Sequence, residues 1–113
     1  MDDYENNVLI VTIVKKGWGD TVIQASKNAG AQGGTVVFGR GTGIHEDQTF
    51  MGFIVEPEKE IVLTIVPSSI SKKVYKRIIE AVNLDKPGNG IGFILPIDKV
   101  FGIPHMDMAN NNE

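Results

Sequence analysis

Two runs of this chain are apolar at almost every position without a helical period: VLIVTIV at residues 8 to 14 and IVLTIV at 61 to 66. Both are rich in β-branched residues, and both predict buried strands, covered on two faces rather than one. The pattern between them is different. Gly17-Trp18-Gly19 ends the first run, Asp20 stands where a helix N-cap belongs, and Val22, Ile23, Ala25 and Ala29 share one face before Gly30 stops the helix. Thr35 to Phe38 predicts a short strand, and the polar, glycine-rich stretch from Gly39 to about Phe50 predicts a loop. Gly52 to Val55 resumes an extended pattern that Pro57 interrupts. After Pro67 closes the second run, a helix capped by Ser68, Ser69 or Ser71 is expected, with Ile70, Val74, Ile78 and Val82 forming its stripe. Lys72, Lys73, Lys76 and Arg77 fall mostly on its outer side and read as a solvated face. Pro87-Gly88-Asn89-Gly90 predicts a tight loop, and GFILPI, from Gly92 to Ile97, a last strand.

The resulting order, β-α-β-β-α-β, predicts an α+β, ferredoxin-like fold: four antiparallel strands with two helices on one face. The expected division is a flexible N-terminus over 1–7, a domain over 8–104 with a mobile arm at 39–52, and a flexible tail over 105–113. Two helices cover one face only, whereas both apolar runs call for two covered faces. The sheet is therefore expected to build a homo-oligomer.

Composition narrows the function. With 113 residues, a single domain is expected. A net charge of -3 without any long basic run argues against nucleic acid as the main partner. The absence of cysteine excludes disulfides, thiolate metal sites and cysteine nucleophiles. The polar start MDDYENN is unlike a secretory leader, and no apolar run is long enough to span a bilayer, so a cytoplasmic protein without membrane insertion is expected. Trp18, at a helix entry, reads as a packing or interface residue.

Thirteen glycines point to tight turns or to backbone approaching a ligand, and five of them lie in GGTVVFGRGTG, residues 33 to 43. Neither common phosphate loop fits. Ile44 stands where the third glycine of G-x-G-x-x-G belongs, and there is no G-x-x-x-x-G-K-[ST]. A hairpin tip is the plain reading, with Arg40 either a solvated turn residue or a clamp for phosphate or carboxylate. Gly88-Asn89-Gly90 reads as an ordinary turn or as a nest of amides for an anion. His45, Glu46 and Asp47, or His105 with Asp107, lack metal-ligand spacing, so no metal site is assigned. No Ser-His-Asp order, paired carboxylates or cofactor motif survives inspection, and no catalytic residue is assigned.

Gly33-Gly34-Thr35-Val36 after the first helix, Pro57 before IVLTIV, and PGNGIGFILPI at 87–97 together resemble the PII signal-transduction family, over roughly residues 8 to 103. The last segment resembles the family's B-loop and following strand, usually of the form GDGKIFVLPV. The match is to a divergent PII-like branch. It implies a regulator, not an enzyme: a homotrimer with an adenine-type effector (ATP, ADP, AMP or a cyclic nucleotide) in clefts between subunits. No other cofactor is implied. The resemblance assigns Gly33, Gly34, Thr35, Gly39, Arg40, Gly41, Gly88, Asn89 and Gly90 to nucleotide binding. The stretch 39–52 becomes the T-loop, with Arg40, Thr42, Ile44, His45, Glu46 and Phe50 presented to a regulated transporter or enzyme. This T-loop is several residues shorter than usual and lacks a tyrosine to modify. Cations of the family pattern are replaced by Ile91, by Glu58 (with Lys59 adjacent), by Gly102 and by Pro104. A trimeric interaction or metal-responsive protein of the same fold, without nucleotide binding, is the alternative, and a small enzyme on this scaffold ranks last.

Overall fold

The computed structural model describes residues 6–42, 49–50, 53–54 and 57–102. Its elements are β1 (Asn7–Lys15), α1 (Gly19–Asn28), β2 (Thr35–Arg40), β3 (Thr49–Phe50), β4 (Phe53–Ile54), β5 (Glu58–Pro67), α2 (Ser68–Val82) and β6 (Gly90–Pro96). The four long strands form one antiparallel sheet in the order β2-β5-β1-β6, and β3 pairs with β4 in a separate two-stranded ladder. This is the ferredoxin-like arrangement the element order predicts, and both apolar runs form its central strands.

Both helices lie on one face, and the register shows which residues meet them. Val62 lies opposite Thr12, and Glu60 opposite Val14. Ile10, Val14, Val62 and Val66 from the sheet join Val22, Val74 and Ile78 from the helices in one buried cluster. The stripe on α2 is as the spacing predicts, with Val74, Ile78 and Val82 buried and Lys72, Lys73, Lys76 and Arg77 exposed. Two buried hydroxyls on this face, Thr12 Oγ1 and Thr64 Oγ1, have no hydrogen-bond partner among the described residues. A buried donor without a partner costs free energy. Thr64→Val is therefore expected to raise stability by about 1 kcal/mol in denaturant melts.

The other face of the sheet carries an apolar surface. Leu9, Ile13, Ile61 and Leu63 are half-buried there, while Val37, Ile65, Ile91, Phe93 and Leu95 are each 42–58% exposed. No described residue of the chain covers them.

Several boundaries and caps differ from the sequence reading; β6, for one, starts at Gly90, paired with Val14, rather than at Gly92. β2 continues through Gly39 and Arg40, because ladder pairing to Lys59 and Glu58 holds these residues extended despite the glycine. Thr49 and Phe50 are likewise strand rather than loop, paired with Ile54 and Phe53. Asp20 does not cap α1. The helix begins at Gly19, so Asp20 lies inside its first turn and Trp18 takes the cap position without a side-chain bond. Nor do the serines cap α2: Pro67 stands at the N-cap, and the Ser71 hydroxyl donates instead to the Ser68 carbonyl at 2.9 Å.

Candidate functional site

Gly33, Gly34 and Thr35 lead into the edge strand β2. They line an open hollow of about 360 Å³ with Leu63, Ile65 and Ile70, in which one wall is glycine-rich backbone and the other apolar side chains. Gly34 is nearly filled by its surroundings, since a Cβ there would stand 3.3 Å from the Leu63 carbonyl oxygen. Gly33 faces open space.

The far end of β2 is fastened to the start of β5. Gly41 donates its N–H to the Pro57 carbonyl at 3.1 Å, and Arg40 lies opposite Glu58. Glu58 also forms an exposed ion pair with Lys16, 2.8 Å apart. Hydrogen bonding to Lys16 lowers the Glu58 carboxyl below its usual range, and the Lys16 and Arg40 charges lower it further. The same pair raises Lys16. At the position where the resemblance puts a lysine, an acid thus pairs with Lys16 instead. Lys59, beside it, is buried.

The loop before β6 is organised by Asn89, which is only 6% exposed. α2 ends with Asn83 in the left-handed region, and the Asn89 amide donates to the carbonyls of Asn83 at 3.0 Å and Val82 at 3.3 Å. Its backbone N–H donates to the Lys86 carbonyl at 3.2 Å. The Asn89 N–H groups therefore close the helix end from within the loop. Beside it, Lys15, Trp18 and Lys86 help to line a hollow of about 450 Å³, with Lys15 Nζ 5.1 Å from the centre of the Trp18 ring. These two lysines supply positive charge next to the loop, and the sequence reading missed both. Lys86 was legible as the neighbour of Pro87; Lys15 reaches the loop only through the β1–β6 pairing.

A carboxylate the sequence reading did not single out organises the same end of the sheet. Glu60 Oε2 accepts the Gly17 N–H at 2.9 Å, and Oε1 accepts the Gly19 N–H at 2.7 Å. It stands in for the missing cap of α1, from 41 residues away.

Within one chain these parts do not form a single site. Gly90 pairs with Val14, which lies opposite Glu60, which lies opposite Phe38. Three strand spacings, roughly 14 Å, separate β2 from β6. Gly33 to Gly41 belong to one edge of the sheet and Gly88 to Gly90 to the other. Of the loop residues, Thr42 is exposed and Phe50 lies in β3, while Ile44, His45, Glu46 and Asp47 lie outside the described residues, as do Pro104, His105 and Asp107. No group of three metal-ligating side chains occurs among the described residues.

Residues 7–105 match the family described as nitrogen regulatory protein P-II. The chain belongs to the P-II family. It is thus a regulatory signalling protein by family, and the resemblance read from the glycine-rich stretch, Pro57 and the loop at 87–90 is sound. A solved structure described as the Bacillus cereus protein related to NIF3 shares the fold, with a TM-score of 0.64 and 23% identity over 84% of this P-II chain. The match spans 26% of that longer chain. No curated protein matches in sequence. Among the described residues, no helix is long and apolar enough to cross a membrane.

Proposed function

We propose that this P-II protein is a cytoplasmic sensor that assembles as a homotrimer, takes an adenine-type nucleotide between neighbouring subunits, and controls a transporter or enzyme through the segment 39–52. One observation carries the reading: the candidate residues occupy opposite edges of one sheet, so a neighbouring copy is needed to unite them. The strand order suits such a neighbour. β6 runs antiparallel to β1 and hence to β2, so the β2 of a second copy can extend the sheet beyond β6 without breaking its alternation. In that arrangement Gly39, Arg40 and Gly41 of one copy arrive beside Gly88, Asn89 and Gly90 of the next. The apolar face of the sheet then turns inward, where other copies cover it.

Charge argues for a modest anion. Ile91 replaces a family lysine, while Lys15 and Lys86 flank the loop and Arg40 approaches from the neighbouring copy. This is fewer bidentate contacts than a triphosphate ordinarily meets, which favours a mono- or diphosphate, or a cyclic nucleotide.

The test is thermal unfolding with ATP, ADP, AMP, cyclic nucleotides and divalent cations supplied separately. A ligand at about 100 times its dissociation constant adds roughly 2.7 kcal/mol per site. The expected result is a rise of several degrees with one adenine compound, lost in Arg40→Ala. A panel without any nucleotide shift would overturn the sensor reading in favour of protein partners or metals.

A further inference from the structure

Two features on the helix side of the sheet fit each other, and they lie on opposite edges. On β2, Phe38 is 73% exposed. It lies opposite Glu60, so it shares the helix-side face, where an aromatic ring in water forgoes a large burial energy. On β6, the positions that share that face are Gly90, Gly92, Ile94 and Pro96, and the two in its first half, opposite Val14 and Thr12, are glycines. With two glycines there, an apolar crevice of about 540 Å³ opens between β6 and α2, bounded by Ile10, Tyr75, Ile78, Ile79 and Leu84. In the family form GDGKIFVLPV the position of Gly92 carries isoleucine. Here the side chain is missing, and the crevice remains.

We propose that Phe38 of one copy seats in the crevice beneath β6 of the next, as a ring-shaped knob in a glycine-lined hole that locks the subunits together. The inference rests on the assembly proposed above and names its anchor. Strand polarity allows it: in the antiparallel continuation from β6 to a second β2, the helix-side residues of both strands stay on one side of the sheet. Phe38, two residues before Arg40, then arrives over the glycine-bearing half of β6. The contact is heterologous, since the knob and the hole are different surfaces. Such a contact does not make a two-fold dimer; it builds a ring where the rotation closes, as the trimer proposed above requires. It also explains why both edges can be apolar without protection, a liability that a lone sheet has to blunt. Because Arg40 follows on the same side of β2, the ring also sets where the arginine meets the loop at 88–90.

The experiment measures assembly of the full chain by sedimentation and native mass spectrometry over a wide concentration range, for wild type, Phe38→Ala, Gly92→Val and the double variant. Gly92 tolerates a side chain: it lies outside the left-handed region, and a Cβ would stand 3.6 Å from the Val11 carbonyl oxygen and 4.0 Å from Leu84 Cδ1. Far-UV circular dichroism confirms that each variant is folded. Wild type is expected to assemble. Each single change is expected to raise the assembly midpoint about tenfold or more, as loss of a central aromatic anchor does. The double variant is expected to be no worse than the weaker single one, because both changes remove the same contact. If wild type assembles and the variants assemble equally well, or if the two effects simply add, Phe38 does not occupy the crevice although the assembly stands. A wild type that stays monomeric at every concentration overturns the assembly and this inference with it.

Discussion

Glu60→Ala is expected to cost about 3 kcal/mol of folding stability, seen as a fall of roughly 12 °C in melting temperature. Two glycine N–H groups depend on this side chain. Gly17 lies in the turn that leaves β1, and Gly19 opens α1, a helix without a side-chain cap of its own. The first N–H groups of any helix need acceptors from outside it, and a carboxylate there also meets the positive end of the helix dipole. Glu60 is 9% exposed and supplies both oxygens at once, so its removal strips the buried Gly19 N–H of its acceptor and leaves the exposed Gly17 N–H to water. Glu60→Gln keeps one carbonyl oxygen and is expected to lose about half as much. Lys16→Met provides the contrast. It breaks the ion pair with Glu58 close by, but side chains that are 63% and 61% exposed are hydrated with or without each other, and the melting temperature is expected to stay where it was. Equal losses for Glu60→Ala and Lys16→Met would show that the bonds to the two glycines carry no weight. Gly19→Ala should reproduce part of the Glu60 defect from the other side, because a Cβ there displaces the Glu60 carboxylate from its bond to the Gly19 N–H.

The contrast between Glu60 and the rest of the fold shows what a sequence exposes. VLIVTIV and IVLTIV announced the central strands because apolar periodicity is local, and α2 announced its buried face through Val74, Ile78 and Val82. The order of elements was enough for the sheet, and Gly33 to Val36 together with the loop at 87–90 was enough for the family. What stayed hidden depends on pairs far apart in the chain. Asp20 had the chemistry and nearly the position of a cap, but the helix and its cap lie two residues earlier and Glu60 fills the place from β5. Asn89 looked like a turn residue offered to a ligand; its amide instead closes the end of α2. Gly39 and Arg40 looked like loop because composition does not record the ladder partner that holds them extended. Lys15 is remote from Lys86 in sequence, and only the β1–β6 register brings it to the same hollow. Periodic burial is written residue by residue, whereas caps and sites are written in register.

Gly90→Ala, at the first residue of β6, and Gly88→Ala, two residues before it in the loop, are expected to behave in opposite ways. Gly90 has φ of +151°, a region essentially reserved for glycine, and pairs with Val14 on β1. A Cβ there runs into the carbonyl oxygen of Ile13 and stands 3.1 Å from both Leu84 Cδ2 and Val14 Cγ1. Neither the backbone of β1 nor the end of α2 can give way without disturbing a packed neighbour, so the strain and the collision add. The expected loss is about 3 kcal/mol or more, large enough to leave much of the chain unfolded if the domain is of ordinary stability. Gly88, at φ of +89°, has open space where a Cβ would go. Its alanine variant should pay only the left-handed backbone penalty, about 1 kcal/mol, and remain folded. The pair therefore separates scaffold from site. Chemical melts measure the first quantity, and nucleotide-induced shifts in the folded Gly88→Ala protein measure the second. If Gly88→Ala is stable but no longer shifts with the adenine compound that stabilises wild type, the backbone of this loop touches the ligand. An undiminished shift would confine the loop to closing α2 and starting β6, and would place nucleotide recognition at the β2 edge alone.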